Sequence, residues 1–215
     1  MNTLGIIVAG GASRRMRLPD GGSKAMVMLG GRPLVEHVCR AVRPEVGRLV
    51  VVAGVDQPVP PLPEIDAVIR DSQPNAGPLA GIADALRAAE PATIVAFVAS
   101  CDVPLLRREL VRLVIDRVEH EGVLWAVPTV DSHPQVLVSA MQTAFLPEIE
   151  AWLVSGRRDL HGLFTQVAHA GRAATISAAE IRAVDPYGVS FADADTPEDL
   201  ARLDAILPRL PPSRR

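Results

Sequence analysis

Leu4-Gly5-Ile6-Ile7-Val8-Ala9-Gly10-Gly11, residues 4–11, is an apolar run that stops at a glycine pair. A short run with no polar alternation reads as a strand buried on both faces. Glycines at its end let backbone amides approach a ligand closely, and consecutive amides form an anion-binding concavity. Positive charge follows at once. Arg14, Arg15, Arg17 and Lys24 come with Asp20 as the only acid among them, and Lys24 is the only lysine of the chain. Bare backbone followed by clustered cations suits a nucleoside triphosphate, with Arg15 and Lys24 placed to neutralise its phosphates. The competing reading is a glycine turn with a solvated basic face. Neither GxxxxGK[ST] nor GxGxxG is present, so no standard nucleotide loop accounts for the stretch.

Further along, similar runs alternate with segments of helical period. Leu49–Ala53, Ala67–Ile69 and Ile94–Ala99 read as further strands buried on both faces, and Pro33–Val42, Leu79–Ala89 and Arg107–Val118 as helices between them. This alternation predicts an α/β fold, a parallel sheet with crossover helices. The second half is less regular: strands are expected at Val123–Val127 and Gln135–Val138, the latter at a sheet edge because of Pro134. Helices are expected over Thr143–Leu153 and Asp159–Val167, and Thr196-Pro197-Glu198-Asp199 is a helix start with Thr as N-cap and Pro at N1. The four prolines of Gln57–Pro63 mark a stiff surface connection. The expected organisation is a single domain over residues 1–207 and a disordered tail over 208–215.

Composition narrows the function classes. Aromatics at 3% are too scarce for a base-stacking single-strand binder, and a net charge of −3 argues against a general nucleic-acid or membrane-surface role. Cys39 and Cys101 are far apart with no CxxC pair, which fits a reducing cytoplasm. No stretch approaches the roughly 20 apolar residues of a membrane span.

In such a sheet ligands sit beyond the carboxyl ends of the strands. Ser100-Cys101-Asp102-Val103-Pro104 puts a carboxylate at one such end, where Asp102 can hold Mg²⁺ alongside phosphates; the alternative is a turn or helix-cap aspartate. Asp193 and Asp195 alternate in an extended segment, so both can point to one side to complete a metal site or grip a second substrate; alternatively, Asp195 only helps to start the last helix. Asp71 precedes the loop Asn75–Gly81, whose helix N-terminus suits an anion or a base edge. Of the histidines, His37, His120 and His169 read as structural or exposed, and His133 and His161 as weak site candidates. No Ser/His/Asp or Cys/His constellation is visible.

Together these stretches resemble the molybdenum cofactor guanylyltransferases of the nucleotidyltransferase family. The resemblance runs from about Leu4 to Leu203. It rests on Val8–Gly11 with Ser13, Arg15, Met16 and Lys24; on Gly77-Pro78-Leu79-Ala80-Gly81-Ile82; on Cys101–Pro104; on His133-Pro134; and on Asp195–Leu200. It implies a Rossmann-like three-layer α/β/α sandwich whose mixed, mostly parallel sheet includes an antiparallel strand. It also implies Mg²⁺ as cofactor, GTP and molybdopterin as substrates, and molybdoenzyme apo-proteins or their chaperones as recipients. GMP would pass from GTP to the terminal phosphate of molybdopterin, with loss of pyrophosphate. By position, Val8, Ala9, Gly10 and Asp71 would contact guanosine, with Gly11, Ser13 and Gly77 completing the nucleotide set. Lys24, Arg15 and Asp102 would be catalytic, with Lys24 on the triphosphate and Asp102 on Mg²⁺. Asp193 and Asp195 would meet the second substrate, where the family usually has asparagines. A cytidylyltransferase of the same fold and a non-catalytic nucleotide-binding relative are the rival readings.

Overall fold

Strand β1 (Thr3–Val8), buried at every residue, forms the centre of the computed structural model, which describes residues 2–10, 16, 22–71 and 77–211. A two-residue ribbon, β2 (Met28–Leu29) and β3 (Arg32–Pro33), leads into α1 (Leu34–Val42), β4 (Arg48–Ala53) and β5 (Ala67–Arg70). Then come α2 (Pro78–Arg87), β6 (Val95–Ser100), α3 (Arg108–Glu121), β7 (Trp125–Val130), β8 (His133–Pro134) and β9 (Val138–Gln142). The chain closes with α4 (Leu146–Val154), α5 (Leu160–His169), β10 (Ala173–Ile176), α6 (Ala178–Val184) and α7 (Pro197–Ile206).

The main sheet has the order β10-β7-β9-β6-β1-β4-β5, with β8 paired to β7. From β1 the chain winds outward through β4 and β5, then returns to place β6 on the other flank of β1, both neighbours parallel to it. The carboxyl ends of β1 and β6 therefore border the switch point, where an open α/β sheet leaves a crevice. Along this path β9 alone runs against its neighbours, β6 and β7, and the short β8 off the path is antiparallel to β7.

Side chains alternate across β1: Leu4, Ile6 and Val8 join one core cluster, Ile7 the other. The first cluster is covered by α2, α4 and α5 through Ile82, Trp152 and Leu163, the second by α1, α3 and α6 through Val38, Val114 and Ile181. The result is the three-layer α/β/α sandwich. Each fully buried aliphatic side chain contributes about 1.5–3 kcal/mol. Gly81 belongs to this packing: a Cβ there would lie 2.6 Å from Val52 Cγ1, so only glycine lets α2 approach β4 this closely.

A third, smaller cluster lies under α7, where Leu203 packs with Leu29, Leu34, Leu105 and Ala194. Helix α7 starts in a capping box between Thr196 and Asp199, as its sequence predicts. The cluster pins the last helix to the ribbon and to the loop after β6.

Two expectations are corrected. Strand β5 is not buried on both faces; it is the outer strand, and Val68 is exposed. The strand expected at Gln135–Val138 lies at Val138–Gln142, and it is internal to the sheet; Pro134 occupies the short β8 instead. Of the tail expected over 208–215, residues 212–215 lie outside the described residues. Leu207–Arg209 forms a 3-10 turn, Leu210 packs on the third cluster, and Arg107 Nη1 donates to the Pro211 carbonyl at 2.7 Å. Strand β10 and helix α6 had no counterpart in the sequence reading. Among the described residues no helix is long and apolar enough to cross a membrane.

Candidate active site

Three remote segments meet beyond β1 and β6. Strand β1 ends with Val8 and Ala9 buried and Gly10 exposed. Its last polar groups are already paired: Val8 O accepts from Cys101 N (3.0 Å) and Ala9 N donates to Val52 O (2.8 Å). The strand's free surface thus begins at Gly10. Cys101 packs into the core and Asp102 emerges next to it, with its carbonyl held by Ala194 N at 2.8 Å. That one bond aligns the segment carrying Asp193 and Asp195 with the end of β6. Lys24 opens a single 3-10 turn, Lys24–Met26, just before the ribbon.

The Lys24 ammonium sits on two carboxylates, 2.9 Å from Asp102 Oδ2 and 2.5 Å from Asp195 Oδ1. Its side chain is only 12% exposed, against 24% and 23% for the two aspartates. Burial would lower the lysine pKa, but the Asp102 charge and hydrogen bonds to both carboxylates outweigh it and hold the ammonium above its ordinary value. Lys24 is therefore a cation and not a nucleophile at neutral pH. Burial, then the charges of Asp195 and Asp102, raise the Asp193 carboxyl above its ordinary value. Burial above all, with Asp102 adding to it, pushes the Cys101 thiol up to about 12, which leaves no thiolate beside the site.

Lys24, Asp102, Asp193 and Asp195 are thus brought together. Asp71 follows β5, two strands from β1 at the same carboxyl end of the parallel strands, with its N–H donating to Ala53 O at 3.0 Å. Gly77 caps α2 with φ +82°, a left-handed conformation suited to glycine. Gly11, Ser13 and Arg15 lie outside the described residues. His37 is structural, its Nε2 2.9 Å from the Leu29 carbonyl; the rings of His133 and His161 lie on backbone oxygens, of Asp131 and Pro134. The sequence reading missed Gln57. Its Oε1 accepts from Gly54 N (3.0 Å) and lies 4.0 Å from the position a Cβ on Gly10 would take, so an amide side chain borders the strand end. A single glutamine inside a proline-rich loop gives no local signal for that.

A family model described as the MobA-like NTP transferase domain matches residues 5–171. The chain is 32% identical over 204 residues to the molybdenum cofactor guanylyltransferase of Desulfosudis oleivorans, covering 94% of this chain and 95% of that one. It is 34% identical over 214 residues to the corresponding protein of Cereibacter sphaeroides, covering 96% and 98%. Among solved structures, molybdopterin-guanine dinucleotide biosynthesis protein A of Archaeoglobus fulgidus superposes with a TM-score of 0.77 at 22% identity, over 96% of this chain and all of that one. The 2-C-methyl-D-erythritol 4-phosphate cytidylyltransferase of Thermus thermophilus gives 0.66 at 20% identity, over 95% and 98%, which is a likeness of fold alone.

Proposed function

The chain belongs to the MobA-like NTP transferase domain family, and on that premise we propose that it transfers GMP from GTP to the terminal phosphate of molybdopterin. An oxygen of that phosphate forms a bond to the α-phosphorus of GTP, the bond from the α-phosphorus to the bridging oxygen breaks, and pyrophosphate leaves. Full-length likeness to molybdenum cofactor guanylyltransferases carries the choice of substrates. The meeting of Lys24, Asp102 and Asp195 at the sheet's switch point carries the choice of site.

The chemistry brings two anions together, so the protein's task is positioning and charge stabilisation rather than covalent catalysis. Lys24 supplies a compact positive charge for the phosphates. Asp193 and Asp195, held against the end of β6, border the place where the second substrate's phosphate arrives.

Mg²⁺ fits the residues present. Asp102, Asp193 and Asp195 set hard carboxylate donors against one ammonium; burial first, and then the charges of Asp195 and Asp102, raise the Asp193 carboxyl. Among the described residues no three side chains cluster tightly enough to hold an ion alone, so Asp102 would hold it together with phosphate oxygens. Bound there, Mg²⁺ supplies charge neutralisation as the phosphates react. The buried, unpaired Cys39 and Cys101 support a reducing, cytoplasmic setting. The guanylylated product would pass to molybdoenzyme apo-proteins or their chaperones.

Thermal shift with each nucleoside triphosphate and Mg²⁺ tests the reading, followed by transfer of label from α-labelled GTP to molybdopterin. GTP is expected to give the largest shift, since a ligand at about 100 times its Kd stabilises by roughly 2.7 kcal/mol. A larger shift with CTP, or binding without release of pyrophosphate, would replace it with the cytidylyltransferase or the non-catalytic reading.

A further inference from the structure

Two carboxylates from remote segments converge on one ammonium, and all three side chains are largely buried. Such a carboxylate pair, if left without a counter-ion, would be costly to hold out of water. Lys24 meets that need. Yet two carboxylates against one ammonium leave a residual negative charge, to which Asp193 adds. The lysine suits a replaceable counter-ion: it is a point charge on a flexible four-carbon stem, whereas the arginine used at every other basic position is a rigid fork that favours fixed bidentate pairing.

Building on the metal-dependent reading above, we propose that Lys24 is a built-in placeholder cation. It competes with a divalent ion for the Asp102 and Asp195 carboxylates and yields them when nucleotide phosphates give its ammonium another anionic partner. Free metal arriving alone must share the carboxylates with an ammonium of like charge, so it binds weakly. Nucleotide removes that opposition by drawing Lys24 onto its phosphates. Each ligand then raises the other's affinity by the same factor, as linkage requires.

The single lysine makes the proposal directly measurable. Protein labelled with ¹⁵N at the lysine Nζ gives one side-chain ammonium signal, and paramagnetic resonance of Mn²⁺ counts bound metal. Without nucleotide, Mg²⁺ titration of the full chain is expected to shift the ammonium signal progressively as its carboxylate partners are taken. Lys24→Met is expected to bind Mn²⁺ at least about tenfold more tightly than wild type, and Lys24→Met/Asp102→Asn to lose that gain. An ammonium signal unmoved by Mg²⁺, or equal or weaker Mn²⁺ binding by Lys24→Met, would make the Lys24 bridge a fixed structural pair and overturn the proposal. The signal measured on wild type decides the matter even if the variant does not fold. Neither measurement contains nucleotide or molybdopterin, so an enzyme that prefers CTP would still pass and a guanylyltransferase could still fail.

Discussion

The molecule handles positive charge in two ways. On the flank formed by α1 and α3, cations and anions are matched almost one for one. Arg32 and Arg40 share Glu36 at 3.5 and 3.3 Å, Arg108 and Arg112 share the buried Glu45, and Arg107 faces Glu109 at 3.7 Å. Arg112 also pairs with Asp116 at 2.9 Å, and Arg117 pairs with Glu121 at 3.1 Å and with Glu180 on α6. At the ends of β1 and β6 one ammonium serves two carboxylates directly, with a third in their field. The first region is electrically closed, and its pairs join helices to one another and to the loop before β4. The second leaves charge over. Matched charge is architecture, and unmatched charge in a crevice is a demand for ligand.

The largest break in this comparison comes from removing the cation that stands in the unmatched region. Lys24→Ala is expected to lower kcat by about 10²–10³, the usual loss when one preorganised charge contact is removed, with a smaller change in KM for GTP. Lys24→Arg keeps the charge and changes its shape, and should remain slower than wild type. Wild-type turnover by the arginine variant would show that only charge matters there.

The matched region should respond in stability and not in turnover. Glu45→Gln removes the carboxylate shared by Arg108 and Arg112 and is expected to cost about 1–3 kcal/mol of stability. Its melting temperature should fall while the extra shift given by GTP stays as in wild type. A loss of GTP response would mean that the two regions are coupled.

The smallest effect sharpens the contrast. The Asp193 carboxyl is raised, so its contribution to stability is present below its ordinary value of 3.8 and is lost as pH rises through the raised value. At neutral pH the charged form is unfavourable, and Asp193→Asn should be more stable than wild type, by less than about 1 kcal/mol because the group is largely exposed. Chemical denaturation at pH 7 and below pH 3.8 should show that advantage shrinking in acid. A destabilised variant at neutral pH would remove the claim of excess charge.

How much of this could be read from residues alone depended on burial. Strands β1, β4 and β6 are legible because sheet interiors covered on both faces need unbroken apolar runs. Strand β9 lies as deep but is masked by Ser139, a buried hydroxyl that accepts from Trp125 Nε1 at 3.0 Å and breaks the apolar pattern. Strand β10 is four residues long, mostly alanine and threonine, and offers little periodicity. In the site, strand-end placement made Asp102 legible. The bridge from Lys24 to Asp195 was not, because 171 residues separate the partners and no local pattern encodes a contact at that range. Sequence reading assigned Asp195 to a metal site, to the second substrate or to a helix start; in the fold it also holds the lysine.

That separation sets a schedule during synthesis. Ribosomes add about 5–20 residues per second, so roughly 10–30 s pass between the appearance of Lys24 and that of Asp195. Throughout that interval the amine lacks one of its two anions, and the backbone bond from Ala194 that aligns the aspartate segment cannot yet exist. A chain stalled or cleaved before residue 195 can contain every strand of the sheet and still lack an assembled charge centre. Assembly of the charge centre therefore waits until residue 195 has been made.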